Sequence, residues 1–167
     1  MHKRICLAAI FLLAALPACT VTFRQKPIAP LNTSRNYKTG VKDAWTAAKA
    51  VIEEWPHEIQ EANFEEENGA GLLTTDFKVL SDQGDKINHL KKVAYAQGAS
   101  FIGGRYALTV TVREVRGGLS RIKVVARIEG YLGEDYGYQV LRSTGLLEEA
   151  VFNRINERLG TTPVDRT

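Results

Sequence analysis

The stretch "RYALTVTVREVRGGLSRIKVVARIEGYL", residues 105 to 132, decides the fold. Successive side chains of an extended chain point to opposite sides. Tyr106, Leu108, Val110 and Val112 therefore share one face, and Ala107, Thr109, Thr111 and Arg113 share the other. The segment "RGGL" turns the chain. Ile122, Val124, Ala126 and Ile128 then point inward, with Lys123 and Arg127 outward. One apolar face and one polar face indicate an antiparallel sheet covered on a single side.

Two more strands precede this hairpin. "EIQEANFEEE" (58 to 67) leads through "NGAG" into "GLLTTDFKVL" (71 to 80). Leu73, Thr75, Phe77 and Val79 alternate there with Leu72, Thr74, Asp76 and Lys78, the period of a half-buried strand. Asn68, Gly69 and Gly71 supply the positive φ a hairpin turn requires.

Helices flank the strands. In "TGVKDAWTAAKAVIEEW" (39 to 55), Val41, Trp45, Ala48, Ile52 and Trp55 recur at three- and four-residue steps, with Thr39 as N-cap and Pro56 as stop. In "TGLLEEAVFNRINERLG" (144 to 160), Leu147, Val151, Ile155 and Leu159 form one stripe. Glu148 and Glu149 near its start and Arg154 and Arg158 near its end suit the helix dipole. Residues 81 to 104 either hold a short helix over 85 to 96 or form a mobile excursion. The order helix, four strands, helix predicts a two-layer α+β domain over 39 to 160. Its four-stranded antiparallel sheet carries the N- and C-terminal helices on one face, a helix-grip arrangement, followed by a tail at 161 to 167.

The segment "VKDAWTAAKAVIEEWPHEIQEANFEEENGAGLLTTDF" and the hairpin after it resemble the helix-grip module of BamC-type outer-membrane lipoproteins. That resemblance implies an accessory of the machinery that folds β-barrels into the outer membrane, without catalysis of its own.

The N-terminus points to the same compartment. His2, Lys3 and Arg4 precede the uncharged run "ICLAAIFLLAAL" (5 to 16). The run is too short to span a bilayer as a helix, which takes about 20 residues, and fits a signal-peptide core. Leu16-Pro17-Ala18-Cys19 resembles the bacterial lipobox, L-x-(A/G)-C. The resemblance implies cleavage after residue 18 and lipidation of Cys19. Buried acyl chains contribute about 0.8 kcal/mol per CH₂, enough in combination for a stable anchor. Cys6 leaves with the signal, so no disulfide can form within the mature chain. Thr20, rather than Asp, follows the cysteine, which by resemblance to the usual sorting rule implies the outer membrane, with the domain facing the periplasm.

Lys3 and Arg4 also leave with the signal, taking the formal charge from +3 to +1. Nothing in that balance points to nucleic acid. Residues 20 to 38 carry two prolines and no clear period, and read as a flexible tether. The alternative is a partner-binding arm through Phe23, Ile28 and Leu31.

Chemistry is sparse. His57 and His89 are the histidines left after cleavage, and no zinc, phosphate-loop or nucleophile-elbow motif occurs. His57 reads as an exposed residue after the helix-stopping proline. No cofactor or metal is expected, and the chain does not read as an enzyme. "GYLGEDYGYQV" (130 to 140) gathers Tyr131, Tyr136 and Tyr138, either as a binding rim or as a packed strand end. With Trp55 and Tyr106 these tyrosines form the candidate binding surface, since aromatic rings bury area while a polar tip stays wet. Two functions follow as expectations. One is an outer-membrane lipoprotein that binds or scaffolds an envelope protein complex. The other is a carrier of a lipid or other small hydrophobic ligand between helix and sheet.

Overall fold

The computed structural model describes residues 31–80, 86–96 and 100–164. In chain order the elements are β1 (Ser34–Tyr37), α1 (Val41–Glu53), β2 (Ile59–Glu65), β3 (Ala70–Thr75), β4 (Lys78–Val79), α2 (Lys86–Val93), β5 (Gly103–Val115), β6 (Leu119–Tyr131), β7 (Tyr138–Leu141) and α3 (Leu146–Leu159). The strands make one sheet in the order β1-β6-β5-β3-β2. Every pairing is antiparallel, with β4 on β5 beyond the end of β3 and β7 on β6 beyond the end of β1.

The alternation in β5 and β6 sets the two faces. Tyr106 lies opposite Ile128, Leu108 opposite Ala126, Val110 opposite Val124 and Val112 opposite Ile122. All eight are buried. The helices lie on this face. From α1 come Ala44, Trp45, Ala48, Val51 and Ile52, and from α3 come Leu147, Val151, Phe152 and Ile155. Leu90 and Val93 of α2 complete the core.

Glycine lets the residues covering the sheet approach closely. A Cβ on Gly71 of β3 would lie 2.4 Å from Trp45 Cε3, and one on Gly130 of β6 would lie 2.5 Å from Phe101 Cδ1. Trp45 also stacks on Phe64 of β2, centroids 5.5 Å apart. A bulge between Ile59 and Glu61 puts both Ile59 and Phe64 opposite inward residues, Thr75 and Gly71, which strict alternation across five positions forbids.

The expected fold class is corrected. The molecule is a mostly sheet fold, one sheet of seven antiparallel strands with three helices, and not a four-stranded helix-grip sheet between terminal helices. The three additional strands have no readable apolar alternation. β1 is "SRNY", and its inward residues are Arg35 and Tyr37, which pair with Glu149 and Asn156 of α3. β4 has two residues. β7 is almost wholly exposed.

Smaller differences have local causes. Ser34–Tyr37, expected as tether, join the sheet, and the folded unit begins at Leu31. The α1 N-cap is Gly40, one residue beyond Thr39, without a side-chain cap. Of the two readings of residues 81 to 104, the short helix is present: α2 covers 86 to 93 of the 85 to 96 range. The strand read over 71 to 80 breaks at Asp76-Phe77. Thr75 faces inward, whereas Val79 lies opposite Arg105 on the polar face, so one residue is inserted between β3 and β4. The signal, Cys19, the first part of the tether and the end of the C-terminal tail lie outside the described residues.

Candidate functional site

None of the described elements covers the second face of the sheet. Strand alternation brings together there residues distant in sequence. Arg127, Glu129 and Tyr131 lie at two-residue steps on β6. Arg105 of β5 lies opposite Glu129, and Tyr138 of β7 lies opposite Tyr131. The insertion before β4 carries Phe77 to the same face.

These residues form one ordered cluster. Arg105 Nε donates to Glu129 Oε2 at 2.7 Å, and Arg127 Nε donates to Glu129 Oε1 at 3.0 Å. The Arg105 guanidinium sits 4.3 Å from the Phe77 ring centroid and 3.8 Å from that of Tyr138. Tyr131 and Tyr138 have ring centroids 4.9 Å apart. Glu129 is only 4% exposed although it stands on the uncovered face, because the arginines and rings close over it. Its charge is answered by two cations, as a buried carboxylate requires. The result is a platform of aromatic rings and a stacked guanidinium, with Val79 and Val140 exposed on the same face.

Toward the other end the same face becomes a shallow groove of about 530 Å³. Thr109, Thr111, Arg113, Glu114, Val115, Arg121, Lys123 and Val125 line it, with Ser34 from β1.

The five candidate aromatics do not form one surface. Tyr131 and Tyr138 meet on the uncovered face. Tyr136 stands in the turn between β6 and β7, 78% exposed. Trp55 and Tyr106 are on the helix-covered side, where Trp55 Nε1 donates to the Tyr106 hydroxyl at 3.0 Å. The Trp55 ring also carries the Arg154 guanidinium, 5.2 Å from its centroid.

His57 joins this second group and is not exposed. Its side chain is fully buried, with its ring edge-on to Tyr106 at 4.7 Å. Neither ring nitrogen has a hydrogen-bond partner among the described residues, and Nδ1 lies 3.6 Å from Asp76 Oδ1. Burial lowers its pKa below the usual 6.5 despite the opposing pull of Asp76. Asp76 is itself held by the backbone: its Oδ1 accepts from Glu58 N at 3.0 Å. No group of three His, Cys, Asp or Glu side chains among the described residues is placed to hold a metal.

Sequence reasoning missed Phe77, Arg105 and Glu129. The step from Arg127 through Glu129 to Tyr131 was available in the alternation of β6. Phe77 was not, because the insertion at Asp76 inverts its face.

Neither cluster contains a poised nucleophile. Both arrange hydrogen bonds and ring contacts. No protein-family model matches the chain, and no curated protein matches it significantly in sequence.

Proposed function

We propose that the protein is an outer-membrane-anchored periplasmic lipoprotein whose folded domain is a non-catalytic binding module for an envelope protein complex. The lipobox-like segment ending in Cys19 supports the location. One observation carries the binding role: the platform of Phe77, Arg105, Tyr131 and Tyr138 on a sheet face that no described element covers. Tyr and Arg are the residue types that dominate protein interfaces. Here Glu129 and the flanking rings hold them in place before any partner arrives, which lowers the entropy lost on binding. The carrier reading has less support, since the inward glycines are filled by Trp45 and Phe101 rather than left open.

The test is a photo-crosslinking residue at Tyr138 in the native cell, followed by detergent extraction and identification of the adducts. A discrete envelope protein is expected, with outer-membrane barrel-assembly proteins the first to look for in view of the BamC-type resemblance. The adduct should vanish in a Tyr131→Ala/Arg105→Ala background. Absence of any protein adduct from a correctly localised, folded protein sinks the reading.

A further inference from the structure

The groove differs from the platform in its charge. Arg35, Arg105, Arg127 and Arg158 each face a carboxylate, from Glu149, Glu129, Glu129 and Glu54 respectively. Arg113, Arg121 and Lys123 have no carboxylate partner among the described residues, yet they occupy adjacent positions. Arg113 lies directly opposite Arg121, and Lys123 follows two residues along β6. Like charges directly across a sheet destabilise it. Register places this row between Asn36 of β1 and Ala70 of β3. The next row runs Ser34, Lys123, Thr111, Leu72.

Arg121 is also aimed. Its Nε donates to Asn36 Oδ1 at 2.9 Å, which fixes the guanidinium plane while its terminal nitrogens remain available to a ligand. Glu114 also lines the groove, opposite Ser120 and outside the Arg113–Arg121 row, so three cations face one carboxylate. Two guanidinium groups and an ammonium beside the hydroxyls of Ser34, Thr109 and Thr111 match a phosphate, whose oxygens accept from several donors at once.

The position of β1 selects the source of that phosphate. Ser34 lines the groove, and fifteen residue steps separate it from Cys19. Fully extended at about 3.3 Å per residue, they reach at most roughly 50 Å. The groove is therefore the part of the open face nearest in chain to the lipid anchor. We infer that Arg113, Arg121 and Lys123 bind the phosphate headgroup of an anionic phospholipid in the membrane that holds Cys19. This inference rests on the anchored reading above. It adds a second contact beside the acyl chains and leaves the aromatic platform free for a protein.

The experiment uses the mature lipoprotein, full-length after processing, in non-ionic detergent. Native mass spectrometry follows binding of short-chain phosphatidylglycerol, short-chain phosphatidylcholine and inorganic phosphate. Phosphatidylglycerol should bind best, and Arg113→Ser/Arg121→Ser should weaken it about tenfold or more. The charge-matched Lys91→Ser/Lys92→Ser, on exposed positions of α2, should leave it unchanged. Lys123→Ser provides a second reading should the double variant fold poorly. Equal loss in the α2 variant, equal binding of phosphatidylcholine, or no binding overturns the inference. Retention of inorganic phosphate without phosphatidylglycerol assigns the groove to a free anion and overturns the lipid source. The intact mass separately reports acylation of Cys19: its absence refutes the anchored reading, whatever the groove binds.

Discussion

Glu148 of α3 accepts the backbone N–H of Ala126, at 3.2 Å, where no described strand lies beside the edge of β6. β1 pairs with β6 as far as Lys123, and Thr33 O accepts from Val124 N. β7 begins pairing at Ile128. Ala126 falls in the interval. Glu148 is 2% exposed, and its second oxygen accepts from Ser143 Oγ at 2.8 Å. A helix side chain thus replaces one rung of the sheet.

Glu148→Ala should therefore cost about 1–3 kcal/mol, the usual consequence of stranding a buried donor. Glu148→Gln keeps an acceptor for Ala126 and should cost less. Urea denaturation of the purified variants checks both. Equal stability of the alanine variant and the parent would show that the gap is satisfied some other way.

Gly71→Ala addresses the packing of helix on sheet. The new methyl meets the Trp45 ring at 2.4 Å, and the ring is held between β3 and Phe64. The expected loss is about 1–3 kcal/mol, typical of overpacking, with a shift in tryptophan emission as the ring moves. Gly117→Ala, in the β5–β6 turn, meets no atom within 4 Å and leaves Trp45 untouched. Any loss there reflects its positive φ and should not move the emission.

The central hairpin was legible because both its strands are long and one face is apolar throughout. Tyr106 to Val112 and Ile122 to Ile128 fall inward as their alternation requires. The stripes of α1 and α3 were legible for the same reason. β1 was not, because Arg35 and Tyr37 are inward by virtue of partners on α3, more than a hundred residues away. Phe77 was misplaced because a single inserted residue reverses every side chain after it. The aromatic platform depends on that insertion and on β7, so the sequence offered Tyr131 and Tyr138 but not the arginine between Phe77 and Tyr138.

His57 makes stability depend on mild acid. Its folded pKa is lowered by burial, so the unfolded chain takes up the proton more readily. Stability from this group is complete above the unfolded value of about 6.5 and falls as pH drops from there toward the lower folded value. Asp76 and Lys78 are the charges acting on it, and the Tyr106 ring faces it. His57→Phe should keep the ring contact and flatten the difference in melting temperature between pH 7 and pH 5. An unchanged pH dependence would assign the effect to other groups.

Tyr37 ties β1 to α3 and should act at the opposite end of the pH scale. Its hydroxyl donates to Asn156 Oδ1 at 2.8 Å, and burial raises its pKa to about 12. A raised folded pKa means that its contribution is present below the unfolded value near 10 and is lost as pH rises toward 12. Tyr37→Phe should cost about 1 kcal/mol at neutral pH. Spectrophotometric titration should show a late tyrosine ionisation in the folded parent that the variant lacks.

Glu129 tests whether the platform must be rigid to recognise a partner. Glu129→Gln leaves the guanidinium of Arg105 between Phe77 and Tyr138 but removes the charge that fixes it. Arg127 is largely solvated, so the loss in stability should be small for a paired carboxylate, about 1–2 kcal/mol. Crosslinking from Tyr138 should fall by more than that loss explains at a temperature where the variant remains folded. Arg127→Gln, which leaves Arg105 and Glu129 paired, should crosslink nearly as the parent does. If both variants crosslink at the parental level, the ordered arginine is not part of the recognition surface.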